Sequence, residues 1–511
     1  MRTKKATINV LISVISFVIG FLPIIFVRKV FINELGSDLL GLSSLYTNII
    51  GYLSIVEMGI GSAIIFSLYK PYADNDWIKI NALLKHYKKM YQIIGVIVLA
   101  AGLVMLPILD LFITDSINMT EARLYFLLFL VNTVIGYYFS YKFCVPTVAQ
   151  EGYRVTIANT IAKLGIAIMQ IIGLLLVHSF YLYLAIQIIG NLIFYIGLSL
   201  YIDSKYTSLK RSKVTNLEVE EKSNLNKNIK ALMFHKIGGV VVFGTDNLII
   251  SSFINLSAVA RYSNYSLIIG AIQGMTSTAM TGITSSIGNL LVEKDRDAAY
   301  IIHKRLFFVN FWIVSMITIV LFNMLTPFVI LWLGEGQTID KFTLFIVIAN
   351  MYFQLMRGSV ERFYEGGGSY YRDRYAPIFE LSINLIASLL LVNLLGLPGV
   401  FLGTLISNLT VVFWVKPKVT YKYIFKVKLR KYFVMYLKYL FIALIPFLIC
   451  YFITSSFHML TGAAVFFVEC ILNLLVINIF YLLVFWRNEE FIYFKNLLIK
   501  RKDKKLVMNL D

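Results

Sequence analysis

The chain has 511 residues, 59% of them hydrophobic and only 15% charged, with a net charge of +19 at pH 7. So apolar a composition over this length excludes a soluble globular protein and calls for an all-α polytopic membrane protein. The basic excess is of the kind that inner loops of membrane proteins carry, so nucleic acid is not an expected partner.

A spanning helix needs roughly 20 largely apolar residues, and about fourteen stretches qualify. In chain order they run 6–27, 39–69, 91–112, 122–145, 155–177, 181–202 and 229–253, then 258–292, 306–333, 342–360, 377–394, 398–415, 433–454 and 461–486. The first follows MRTKK but lacks a small-residue cleavage pattern before FVRKVF, so it reads as an uncleaved span containing Pro23. Of the 47 Lys and Arg, only Arg28, Lys29, Arg123, Arg261 and Lys341 fall on the side opposite the N-terminus, with Lys163 inside a span. That bias puts both termini in the cytoplasm.

The outer loops are short, such as HSFY at 178–181 and GLPG at 396–399, which leaves no room for an external catalytic domain. The chain is therefore not read as an enzyme. Among the inner segments, 77–91 carries Trp77, Ile80, Leu84, Tyr87 and Tyr91 on one helical face and is expected to lie along the headgroups, as is 489–505. Cys144, Cys450 and Cys470 show no paired or ligand-like spacing, so neither disulfides nor a metal site is expected.

The chain also repeats itself. MGIGSAIIFSLYKPYADND at 58–76 aligns with MTGITSSIGNLLVEKDRD at 280–297, the segment 149–177 with 365–392, and IGNL at 189–192 with ISNL at 406–409. An offset near six spans makes this a parallel repeat, which favours a transporter whose halves rock about a site between them. The expected division is a six-helix lobe over 1–203, a charged linker over 204–228, a second six-helix lobe over 229–420, an extra helix pair over 421–486 and a basic tail over 487–511.

A charge at the bilayer centre costs about 2.5 to 3.5 kcal/mol, so each one should face a partner or a cavity. Glu57 sits mid-span in SIVEMGIGSAII, with Gly59 and Gly61 behind it; Asp246 lies in span seven, Arg261 opens span eight, and Arg28 and Lys29 end span one. The repeat partner of Glu57 keeps the small residues but not the acid, which favours function. Asn159, Lys163 and Gln170 share a helix face and are read as hydrogen-bonding glue within a lobe, as are Glu380 and Asn384.

The segment 34–76, ELGSDLLGLSSLYTNIIGYLSIVEMGIGSAIIFSLYKPYADND, together with FGTDNLIIS at 243–251 and the long eighth span, resembles the polysaccharide repeat-unit flippases of the multidrug/oligosaccharidyl-lipid/polysaccharide exporter superfamily. The resemblance implies two six-helix lobes around a central cavity lined by spans one, two, seven and eight. It also implies a lipid-linked oligosaccharide on undecaprenyl diphosphate as substrate, carried across the bacterial cytoplasmic membrane, with a polysaccharide polymerase and glycosyltransferases as pathway partners. Arg28, Lys29 and Arg261 become candidate phosphate contacts, and Tyr46, Asn48, Tyr262, Asn264 and Gln273 candidate sugar contacts. Glu57, Asp246, Gly59, Gly61 and Pro23 become candidate coupling or gating residues. No organic cofactor is implied, and proton or sodium coupling is left open. One departure stands out: the related lipid II flippases carry arginines deep in span one, and this chain has none in that span ahead of Arg28. A cation-coupled drug exporter, or a flippase for lipid II or a teichoic-type precursor, is the alternative.

Overall fold

The computed structural model describes residues 2–57, 60–113, 117–213, 215–217, 221–223, 225, 245–293, 295–368, 370–373, 375–457 and 462–497. Every regular element among them is helical. In lipid this is what the backbone requires, because a helix satisfies its own N–H and C=O groups without water.

Two compact units divide the chain, residues 1–260 and 261–511. The first contains α1 (Arg2–Leu35), α2 (Ser37–Leu53), α3 (Ile60–Ala73), α4 (Trp77–Met105), α5 (Met119–Ser140), α6 (Cys144–Val148), α7 (Gly152–Val177), α8 (Phe180–Lys205), α9 (Thr207–Arg211) and α10 (Thr245–Phe253). The long α11 (Leu256–Glu293) begins at its edge and belongs mainly to the second unit. There it is followed by α12 (Arg296–Leu333), α13 (Lys341–Met356), α14 (Gly358–Gly366), α15 (Ala376–Leu395), α16 (Leu397–Ser407), α17 (Phe413–Val419), α18 (Arg430–Phe457) and α19 (Ala463–Phe485).

Ten helices among the described residues are long and apolar enough to cross a membrane, and they match ten of the fourteen expected spans. The other four differ for separate reasons. Span two is not one helix: α2 stops at Leu53, a 3-10 turn covers Ser54–Glu57, and α3 restarts at Ile60. Span seven lies mostly outside the described residues, span eight is continuous but rich in Ser, Thr and Gly, and span ten breaks at Arg357 between α13 and α14.

The helix pairings recur in the two units. In the first, α4 packs on α5, α5 on α8 and α7 on α8; in the second, α12 packs on α13, α13 on α16 and α15 on α16. Asparagines sit at like places in both. Asn191 of α8 donates to the Asn132 side chain of α5 at 2.9 Å, and Asn350 of α13 donates to the Phe401 carbonyl of α16 at 3.0 Å. The extra helices α18 and α19 pack on α12.

One expectation needs correction. Residues 77–91 do not lie apart along a headgroup layer: they form the first turns of the continuous helix α4, with Ile80, Leu84, Tyr87 and Tyr91 buried in the core of the first unit. The face that reads as amphipathic is apolar because it packs on protein. Residues 489–497 differ from these: they form a separate short helix after the turn that ends α19, and although Phe491 stacks on Trp312 and Arg305 lies 3.5 Å over the Tyr493 ring, Ile492, Tyr493 and Leu497 are exposed; residues beyond 497 are outside the description.

Candidate functional site

Glu57 closes the 3-10 turn that interrupts span two. The break follows from its sequence: Ile55 is β-branched, as is Val56, and glycines follow, so a regular helix gains little here. Ser54 and Glu57 have other partners. The Glu57 carboxyl lies beside the side chains of Tyr137 (α5) and Tyr91 (α4), Tyr137 is also near Ser54, and Tyr195 of α8 is close. Tyr91 in turn lines a cavity of about 200 Å³ together with Gly61, Ser140 and Thr147. A carboxyl group at a helix break, beside two phenols and close to a small cavity, is suited to exchanging a proton or holding a small cation.

Gly61 contributes space rather than contact. A Cβ there would meet only the Tyr91 hydroxyl, at an ordinary 3.7 Å. Gly59 lies outside the described residues. Pro23 sits inside α1, which runs unbroken through it.

The seam between α1 and α7 is the second polar feature of this unit. Its ends are tied: at one, the Asn9 side chain donates to the Gln150 carbonyl at 3.1 Å and accepts from the Tyr153 N–H at 2.8 Å; at the other, His178 Nδ1 lies 2.6 Å from a Glu34 carboxylate oxygen. Between the ties lies a cavity of about 290 Å³, whose polar lining is Ser13, Ser16, Thr156, Asn159, Thr160 and Lys163. Farther along, Arg28 lies beside Tyr183, which also meets Gln170. Sequence reading placed Lys163 and Asn159 in the glue. Neither makes a hydrogen bond or ion pair within the described residues, so for these two that reading is corrected.

In the second unit the charges are paired instead. Glu361 meets Lys416 at 2.7 Å and Arg357 at 3.2 Å, with Arg362 at 3.8 Å, while Arg357 is itself buried and also bonds to Asn408. Burial alone would raise the Glu361 pKa, but Lys416 and Arg357 outweigh it and hold it at about 2. Asn408 opens a π-helical stretch, Asn408–Val412, so the helix is widened where it reaches the arginine. The first unit has a counterpart in Glu151, which meets Arg154 at 2.9 Å and also Lys205. Both clusters join the start of one helix to the end of another and read as struts.

The remaining candidates separate into core and surface. Tyr46 is fully buried, its hydroxyl donating to the Ala122 carbonyl at 2.7 Å and its ring packed on Phe126 and Phe129, so it is a core residue rather than a sugar contact. Asn264 is likewise buried, donating to Gln337 at 3.2 Å. Asn48 bonds back to the Ser44 carbonyl in its own helix, Gln273 donates to Gln354 at 3.3 Å, and the Tyr262 ring leans on Phe401. Lys29 is exposed and Arg261 half-buried. Asp246 opens α10, near the Tyr52 hydroxyl of α2. Among the described residues no group of three or more His, Cys, Asp or Glu side chains is placed to hold a metal ion.

No protein-family model matches the chain, and no curated protein matches it by sequence. Solved structures do. The lipid II flippase MurJ in an inward closed conformation superposes with a TM-score of 0.67 at 12% identity, covering 93% of this chain and 98% of that one. An inward-facing MATE-family multidrug resistance transporter of the MOP superfamily gives 0.55 at 15% identity over 79% of this chain and 95% of its own. The Vibrio cholerae MATE transporter VcmN, in a mutant form, gives 0.53 at 15% identity over 84% and 99%. At these identities the likeness shows the fold: this chain is an all-α polytopic membrane protein built as the lipid II flippase and the MATE transporters are built.

Proposed function

We propose that the chain is a flippase that carries undecaprenyl-diphosphate-linked oligosaccharide repeat units from the inner to the outer leaflet of the bacterial cytoplasmic membrane, by alternating access, for surface polysaccharide synthesis. The observation that carries this reading is coverage: the lipid II flippase superposes on 93% of the chain, the MATE transporters on 79% and 84%. The difference is about the size of the pair α18 and α19, so the chain is built to the length of a lipid-carrier transporter. Beside α18 runs a nearly apolar groove of about 200 Å³, lined by Phe322, Phe345, Phe353, Leu440, Leu444 and Phe447, which suits a polyprenyl tail.

In this reading both termini are cytoplasmic, Arg28, Lys29 and Arg261 are phosphate contacts, and Tyr262, Gln273 and Asn48 are the sugar contacts. Glu57 is the coupling or gating carboxylate, exchanging a proton or a sodium ion, with Asp246 as a second candidate. Gly59, Gly61 and Pro23 are the candidate gating residues, and the partners are membrane lipids and the polymerase and glycosyltransferases of the same pathway. Deleting the gene tests the reading: lipid-linked units should accumulate on the inner leaflet and surface polysaccharide should disappear. Intact polysaccharide with no accumulation overturns it.

The MATE likeness favours one second reading, a cation-coupled drug exporter using Glu57 or Asp246. Unchanged drug susceptibility on both deletion and overexpression would exclude it.

A further inference from the structure

We propose that the groove between α1 and α7 is an anion site, with Lys163 as its cation, and that it takes the phosphate groups of a lipid-linked substrate. The proposal rests on the flippase reading for the source of the anion, but not for the existence of the site.

The argument begins with depth. Lys163 lies eight residues inside the apolar stretch that starts at 155, or about 12 Å at the helical rise. An ammonium at that depth needs a partner, water or a ligand. None of the protein's own carboxylates meets it: among the described residues Lys163 has neither an ion pair nor a hydrogen bond.

The surroundings supply the rest of an anion site. Thr156, Asn159, Thr160 and Lys163 fall at i, i+3, i+4 and i+7, so they share one face of α7, opposite Ser13 and Ser16 of α1. The two threonine hydroxyls bond back along their own helix, to Gly152 and Thr156. Among the described residues Ser13, Ser16 and Asn159 make no hydrogen bond, so their donors are free for a ligand, and no carboxylate lines the groove to repel an anion. The cavity of about 290 Å³ far exceeds the ~10–15 Å³ that one water needs, so a phosphate with its first waters fits.

The groove also leads somewhere. The contacts of α1 and α7 rise together in residue number, from Asn9 with Tyr153 to Glu34 with His178, and between them Arg28 of α1 and Gln170 of α7 both lie beside Tyr183 of α8. Twelve residues of α1 separate Ser16 from Arg28, about 18 Å along the helix. A second cation, Arg28, thus lies farther along the same helix, beside Tyr183.

The test is equilibrium binding to the purified full chain in detergent, with three probes: undecaprenyl diphosphate, inorganic pyrophosphate, and phosphatidylglycerol in mixed micelles. The wild type should bind undecaprenyl diphosphate and pyrophosphate in a salt-sensitive way. Lys163→Gln should lose about tenfold or more for both, Lys163→Arg should keep most of it, and neither change should shift the melting temperature. Equal binding by wild type and Lys163→Gln overturns the site while leaving the flippase reading intact. Pyrophosphate binding lost in Lys163→Gln, with no binding of undecaprenyl diphosphate by the wild type, supports the anion site but sinks the flippase reading. Loss of phosphatidylglycerol binding alone makes this a lipid-headgroup site and overturns the assignment to substrate.

Discussion

The Tyr137 hydroxyl of α5 lies beside the carboxyl group of Glu57, setting the break in the second span against a neighbouring helix. The same hydroxyl also lies near Ser54, so one phenol faces both ends of the 3-10 turn. A change in the charge of Glu57 is therefore felt at once by the turn that connects α2 to α3.

Glu57→Gln keeps a hydrogen-bonding side chain of the same size, so expression and thermal stability should stay near wild type while transport slows about tenfold, equivalent to ~1.4 kcal/mol in barrier. The pH dependence of transport should flatten as well. Glu57→Ala should in addition lower the melting temperature, because two phenols lose the side chain beside them. Wild-type transport by the Gln variant across pH 5 to 8 would reduce Glu57 to structural glue.

Glu361 should behave in the opposite way. Its pKa is held at about 2, below the ordinary 4.5, so the stability it contributes is present above about pH 4.5 and is lost only as pH falls toward 2. The cluster is thus silent between pH 5 and 8. Glu361→Gln, by contrast, leaves Arg357 and Lys416 without their carboxylate and should destabilise the protein by about 3–5 kcal/mol, the usual cost of breaking a buried pair. Thermal unfolding in detergent reads this directly, and an unchanged melting temperature would contradict the strut assignment.

Close helix packing gives a third prediction. Gly399 and Gly403 form a GxxxG face on α16: a Cβ at Gly403 would sit 2.1 Å from the Ser388 hydroxyl and 2.5 Å from its backbone nitrogen, and one at Gly399 would sit 2.1 Å from the Leu391 carbonyl oxygen. Since backbone cannot yield as a side-chain end can, Gly399→Ala and Gly403→Ala should each cost at least the 1–3 kcal/mol typical of overpacking. Gly165→Ala, where a Cβ meets nothing, is the neutral control.

Hydropathy made most of the spans legible, since a long apolar run in lipid has few alternatives to a helix. It failed where length or polarity was the wrong measure. Span two reads as one run because hydropathy averaged over about 20 residues hides a single carboxyl group, whereas the break also reflects the neighbours that Tyr91 and Tyr137 bring to Glu57 from other helices. The same limit governs the site residues. Tyr46 and Asn264 are polar groups in apolar helices, and sequence cannot tell that their partners are Ala122 and Gln337 in the core. Conversely, Lys163 was visible as an intramembrane charge, but only the fold shows that nothing in the described protein neutralises it. The GxxxG face is legible in LPGVFLGT, but spacing alone does not show that Ser388 and Leu391 lie against it.

The central claim is that the chain moves a lipid-linked oligosaccharide between leaflets. The most direct measurement reconstitutes the purified full chain into liposomes with a fluorescent undecaprenyl-diphosphate oligosaccharide and follows its exposure to a membrane-impermeant quencher. The account predicts protein-dependent exposure that slows in Glu57→Gln and in Lys163→Gln. Exposure no faster than in protein-free liposomes, under imposed proton and sodium gradients of either direction, would contradict it.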